Sequence, residues 1–91
     1  MVPMNCFCFW DSGENDKDRI LIFATQTNID FLNENPHWFG DGTFSIAPSI
    51  YYQLYTINIQ VEAFNLPLVY ALLPHKDYAT YMIIINKCLI Y

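Results

Sequence analysis

His37-Trp-Phe-Gly-Asp-Gly-Thr-Phe-Ser-Ile-Ala-Pro48 is the stretch on which the reading of this chain turns. Pro36 breaks the chain just before it and Pro48 ends it. Between them a single carboxylate, Asp41, stands among apolar residues with a glycine on each side. Period-two alternation puts Phe39, Asp41, Thr43 and Ser45 on one face, and Trp38, Gly40, Gly42, Phe44 and Ile46 on the other. A carboxylate inside an apolar strand is costly to bury unless it is paired, hydrogen-bonded or metal-bound. The flanking glycines leave room for a ligand or another backbone to approach it. Asp-Gly is also a favoured hairpin dipeptide, but only His37, Trp38 and Phe39 separate Gly40 from Pro36, too few for a preceding hairpin strand. A strand from Trp38 to Ala47 is therefore expected. Two roles for Asp41 stay open at this point: hydrogen bonding to nearby backbone N–H groups or to Thr43, or metal ligation.

Downstream, Tyr51, Tyr55, Ile57, Ile59 and Val61 give β-propensity to a second strand from Tyr51 to Val61. Its other face carries Leu54, Thr56, Asn58 and Gln60, which predicts half burial. A third strand, Leu66 to Leu73, is apolar on both faces and reads as covered on both. The links Pro48–Ile50 and Glu62–Asn65 are short enough only for antiparallel neighbours. A three-stranded meander follows. After Pro74, Asp77 can cap a helix from Tyr78 onward. Tyr78, Tyr81, Met82, Ile85, Cys88 and Leu89 share one helical face, while the β-branched run Ile83–Ile85 favours a strand on propensity alone.

Upstream, Arg19 to Ala24 reads as a short strand. Thr27 or Asn28 can cap a helix running through Asn33, with Asp30 in the first turn favoured by the helix dipole and Ile29 and Leu32 as its apolar stripe. Asn35-Pro36 ends it. Asp11 to Asp18 is an acidic, exposed loop that lacks the mid-loop glycine and terminal glutamate of a calcium-binding loop. Met1 to Trp10 is apolar, without the basic start and small-residue cleavage site of a signal peptide.

Composition narrows the possibilities. A chain of 91 residues bounds the chain to one small domain with a marginal core. Charged residues make up 14% against 54% hydrophobic, a surface better suited to part of something larger than to a free domain. The net charge of −5 provides no basic footprint for nucleic acid. No apolar run reaches about 18 residues, so no membrane span is expected. Cys6, Cys8 and Cys88 are odd in number and read as reduced intracellular thiols; Cys6-x-Cys8 is half of a zinc site with no second pair, since His37 and His75 stand alone near prolines and read as surface residues. Tyr51, Tyr52, Tyr55 and Tyr70 could stack on bases in a single-strand binder, but without basic residues among them they read as packing residues.

The order and spacing of Asp41-Gly-Thr-Phe44, Ala47-Pro48, Tyr52-Gln-Leu-Tyr-Thr-Ile57 and Pro67-Leu-Val-Tyr-Ala-Leu-Leu-Pro74 resemble the first half of the transposase domain of Mutator-like elements. The resemblance runs from about Arg19 to Tyr91. It implies an α/β chain with a partial ribonuclease-H-like fold: a short strand and helix, then a three-stranded antiparallel meander followed by a helix. On this reading residues 1–18 are an N-terminal segment with the acidic loop, and 19–91 are a truncated transposase domain. It also favours the helical reading after Tyr78.

Such domains carry out DNA transposition, a DNA recombination reaction, by metal-dependent strand cleavage and transfer. Carboxylates from separate elements hold two cations about 4 Å apart. The resemblance makes Asp41 the first of these, catalytic and metal-ligating, with Mg²⁺ or Mn²⁺ as the cofactor of the complete domain. The second Asp and the Glu are expected beyond Tyr91; Glu62 and Asp77, the only carboxylates after Asp41, do not match them. One aspartate does not hold two metals, so this chain alone is expected to bind none tightly and to be inactive. The implied partners are transposon-end DNA for the complete protein, in the nucleus, and no membrane. The strand carrying Asp41 is central in the complete fold. In this chain its edge is expected to lie open to self-association. The other expectation is a non-catalytic, transposon-derived remnant or a small protein-interaction module.

Overall fold

A computed structural model describes residues 7–43, 53–75 and 77–90. Among them the elements are β1 (Phe7–Asp11), β2 (Leu21–Ala24), α1 (Gln26–Asn33), β3 (Phe39–Thr43), β4 (Gln53–Val61), β5 (Phe64–Leu73) and α2 (Tyr78–Ile90). The strands form a mixed α/β arrangement's single five-stranded sheet in the order β1-β2-β5-β4-β3, with every neighbouring pair antiparallel. The expected meander is β3-β4-β5. The assigned part of its first strand ends at Thr43, and the expected continuation through Ala47 lies outside the described residues, as do Tyr51 and Tyr52.

β5 sits in the middle of the sheet, where Leu68, Val69, Ala71, Leu72 and Leu73 are buried, but Leu66 and Pro67, expected to be covered, are exposed. A register shift opposite Ile57 and Asn58 gives β5 an extra residue, so the consecutive residues Leu68 and Val69 are both buried. Pro67 is tolerated at this irregularity, beyond the residues of β5 that pair with β2. The β4–β5 turn is tighter than expected, because Val61 already pairs with Phe64 and only Glu62 and Ala63 remain in the loop. The polar face of β4 is more buried than its composition predicts. Leu54 and Asn58 are both buried, and the Asn58 amide donates to Phe39 O, Thr56 O and Thr56 Oγ1 at 3.3, 3.4 and 3.0 Å. A satisfied amide is what makes that burial tolerable.

Both helices contribute to one core with the sheet. Ile22, Ala24, Ile57, Ile59, Val69, Ala71 and Leu73 from the strands meet Ile29 and Leu32 of α1 and Ile84 and Cys88 of α2. The stripe expected on α1 is present, but its cap is not Thr27 or Asn28. Thr25 has extended backbone and its hydroxyl accepts the Asn28 N–H at 3.0 Å, so the helix starts at Gln26. Asp30 consequently falls outside the first turn, where it accepts a hydrogen bond from the Gln26 amide instead of meeting the dipole.

Asp77 does cap α2, its carboxylate accepting the Thr80 N–H at 2.9 Å. The buried face of α2 is rotated from the expected one: Thr80, Ile84 and Cys88 point inward, whereas Tyr78 is 79% and Leu89 56% exposed. Burial of Ile84 against the sheet outweighs the weak helix propensity of the Ile83–Ile85 run. The helices are joined by the Asn33 amide, which donates to Cys88 O at 2.9 Å.

The N-terminal apolar segment contributes an edge strand that alternation alone does not predict. β1 pairs with β2 through a register shift between Cys8 and Trp10, and the irregularity lets adjacent Phe9 and Trp10 both pack against the core. The acidic loop after it is exposed, as expected, and is closed by Asp11. That carboxylate takes Arg19 in two hydrogen bonds, Nε at 2.9 Å and Nη2 at 2.6 Å, and accepts the Gly13 N–H at 2.9 Å.

Candidate functional site

Asp41 lies at the middle of β3, an edge of the sheet, directly opposite Thr56 of β4. It is exposed to solvent, so the cost of a buried carboxylate that the apolar context suggested does not arise. The face alternation is the expected one. Gly40 and Gly42 turn toward Tyr55 and Gln53 on the helix side, and Asp41 is on the opposite side. The Thr56 hydroxyl donates to the backbone oxygen of Asp41 at 3.4 Å. Among the described residues no hydrogen-bond donor meets the Asp41 carboxylate; the Thr43 side chain lies outside them.

The space beside the two glycines is already filled. On the helix side the Tyr55 phenol lies against Gly40 and the Gln53 amide against Gly42. Tyr55 stacks obliquely on Tyr81 with ring centroids 4.8 Å apart. Gln53, buried beneath them, donates from Nε2 to Tyr81 Oη at 2.9 Å and to His75 O at 3.4 Å. Burial pushes the Tyr55 hydroxyl above its ordinary pKa, with Tyr81 and then Asp41 adding to the effect. Local sequence pattern does not reveal this cluster. Its signal is a glycine pair at alternate positions facing an aromatic on the next strand, legible only once the pairing of Gly42 with Tyr55 is known.

The other carboxylates do not converge on Asp41. Glu62 occupies the β4–β5 turn, six residues past Thr56 and roughly 20 Å along the strand. Asp77 is engaged at the start of α2, and the Thr80 hydrogen bonds hold its carboxyl below the usual range. Among the described residues no group of three His, Cys, Asp or Glu side chains could hold a metal ion. Both histidines are exposed: His37 lines a cleft with Asn35, Pro36, Phe39, Gln60 and Glu62, and His75 Nε2 lies 2.8 Å from Asp18 Oδ1. Cys6 lies outside the described residues, so the Cys6-x-Cys8 pair does too. Cys8 is an exposed free thiol on β1, and Cys88 is a buried one, pushed up to about 12 by desolvation. No described helix is long and apolar enough to cross a membrane.

Beside β3, on the helix side, an apolar groove runs between the strand and α2. Asn33, Asn35, Pro36, Trp38, Ile85 and Leu89 line one end, and Trp38, Phe39, Gly40, Tyr55, Ile57 and Ile85 the other. Trp38 lines both ends and is held by its indole N–H, which donates to Leu32 O at 2.9 Å and Asn35 O at 3.1 Å.

No family model, no curated protein and no solved structure matches this chain.

Proposed function

We propose that this chain is the N-terminal part of a Mutator-like transposase catalytic domain with a ribonuclease-H-like fold, and that Asp41 is the first metal ligand of that domain. The observation that carries the reading is the position of Asp41. It lies exposed on the first strand of an antiparallel β3-β4-β5 meander that is followed by a helix, and the outer side of that strand is a sheet edge. A strand in that position can accept a further neighbour, and a carboxylate beside it can then meet ligands carried by other elements. The order of Asp41-Gly-Thr-Phe44 and the later segments supports the same reading.

A two-cation centre needs carboxylates from several elements. The described residues around Asp41 supply one, so they do not fit a complete centre. On this reading Mg²⁺ or Mn²⁺ belongs to the complete domain, which acts on transposon-end DNA in the nucleus, and this chain by itself is inactive. With a net charge of −5, the grip on DNA comes from residues other than these or from bound cations.

The test uses the full open reading frame that contains this chain, read from its transcript past the codon for Tyr91. Asp41→Asn should abolish Mg²⁺-dependent cleavage of transposon-end DNA with the circular dichroism spectrum unchanged. Cleavage retained by the Asn variant overturns the ligand assignment.

The apolar groove beside β3 favours a second reading, a non-catalytic remnant that serves as a protein-interaction module. A transcript whose frame supplies neither the second Asp nor the Glu would favour this reading over the first.

A further inference from the structure

Gly40 and Gly42 leave two gaps on the helix side of β3, and each is occupied by a particular side chain of β4. A methyl group at Gly40 would collide with the hydroxyl end of Tyr55, and one at Gly42 would collide with the Gln53 side-chain oxygen. Each neighbour has contacts of its own that oppose its moving aside. Tyr55 is backed by the Tyr81 ring at 4.8 Å, and Gln53 is buried with its amide nitrogen bound to Tyr81 Oη and His75 O. β4 and α2 therefore present a wall with two slots that residues lacking a Cβ enter without displacing Tyr55 or Gln53. A slip of β3 by one residue would set Asp41 and either Phe39 or Thr43 in those slots. A slip by two would bring in Trp38 or Phe44. Among these registers only the observed one fits.

We propose that Tyr55, supported by Gln53 and Tyr81, is a positioning residue: it locks the register of β3 and thereby keeps Asp41 exposed on the sheet face opposite the helices. A one-residue slip would turn every side chain of the strand to the other face, and Asp41 would then lie against the Tyr55–Tyr81 wall. The value of this placement to a reaction rests on the reading of Asp41 as a metal ligand. The lock itself is a property of the metal-free chain.

The test is a double-mutant cycle between Gly40→Ala and Tyr55→Val, read by thermal unfolding. A second readout comes from Asp41→Cys in a chain also carrying Cys6→Ser, Cys8→Ser and Cys88→Ala, by the rate of maleimide labelling. Gly40→Ala should lower the unfolding midpoint by about 5 °C or more when Tyr55 is present, and by less than about 2 °C beside Tyr55→Val. With Tyr55 in place, the thiol at position 41 should label in one fast phase, close to the rate in urea. With Tyr55→Val, a second phase about tenfold slower should appear as slipped strands hide the thiol. A purely packing role for Tyr55 would lower the midpoint without adding that phase.

Equal effects of Gly40→Ala in both backgrounds, or a single fast phase in folded Tyr55→Val, overturn the proposal. If Tyr55→Val does not fold, Tyr55→Phe takes its place. The retained ring should keep Gly40→Ala destabilising, and tolerance of Gly40→Ala beside it overturns the lock. Neither readout involves metal or DNA, so failure of the lock leaves the ligand assignment standing, and failure of that assignment leaves the lock standing.

Discussion

The indole N–H of Trp38 donates to the backbone oxygen of Leu32 at 2.9 Å, tying the last turn of α1 to the residue that leads into β3. The same N–H reaches Asn35 O at 3.1 Å. Carbonyls at the end of a helix have no partner within it, and a donor that supplies one stabilises both the helix end and the chain that follows. Trp38→Phe keeps an apolar ring on the core side but removes the donor. The expected loss is about 1–3 kcal/mol of unfolding free energy, measured by urea denaturation. An unchanged midpoint would show that water replaces the indole at no cost.

At the β4–β5 turn the strain lies in the backbone. Glu62 has φ of 57°, in the left-handed region that disfavours a side chain, and only Ala63 shares the loop with it. Glu62→Gly relieves that conformation and loses some freedom on folding, for a net gain of roughly 0.5–1 kcal/mol. Thermal unfolding checks it, and a lower midpoint for the glycine variant would contradict it.

Acid should loosen the β1–β2 connection first. The Arg19 hydrogen bonds, and then the Gly13 N–H, hold the Asp11 carboxyl at about 2, below its ordinary 3.8. Because the folded value is the lower one, the charged form is favoured by folding. The contribution is complete above about pH 4 and is lost as pH falls through about 2. The pair is exposed, so the effect is small and shrinks further in salt. Hydrogen exchange at the Ser12 amide, which is bonded to Ile20 O, should accelerate relative to the core between those pH values. Asp11→Asn should remove that pH dependence.

Among the described residues β3 pairs on one side only, which predicts self-association. Phe39, on this edge strand, is 46% exposed, and Leu89 of α2 is exposed near the groove beside it. An open strand edge with apolar flanks templates pairing with another chain. Sedimentation velocity should show concentration-dependent association, and Phe39→Lys should reduce it by placing a charge on the edge. A monodisperse monomer at every concentration would contradict this.

Local chemistry made several features of the fold legible in the sequence. Asp77 as a cap, the apolar pair Ile29 and Leu32, the antiparallel β4–β5 hairpin and the alternation around Asp41 all depend on spacing along the chain. β1 was not legible, because its irregular register puts adjacent Phe9 and Trp10 against the core and erases period two. α1 starts earlier than the expected caps Thr27 and Asn28, because Thr25, with its extended backbone, wins the competition among three neighbouring cap residues.

For Asp41 the division is sharper. The sequence by itself determined which side chains share its face, since a strand alternates whatever surrounds it. Only the tertiary structure decided that this face is exposed at a sheet edge, and that Tyr55 and Gln53 fill the gaps beside the glycines. Those outcomes depend on which strand pairs with β3 and in what register. Residues far apart in the chain set them through steric fit and hydrogen bonds, which no local pattern encodes.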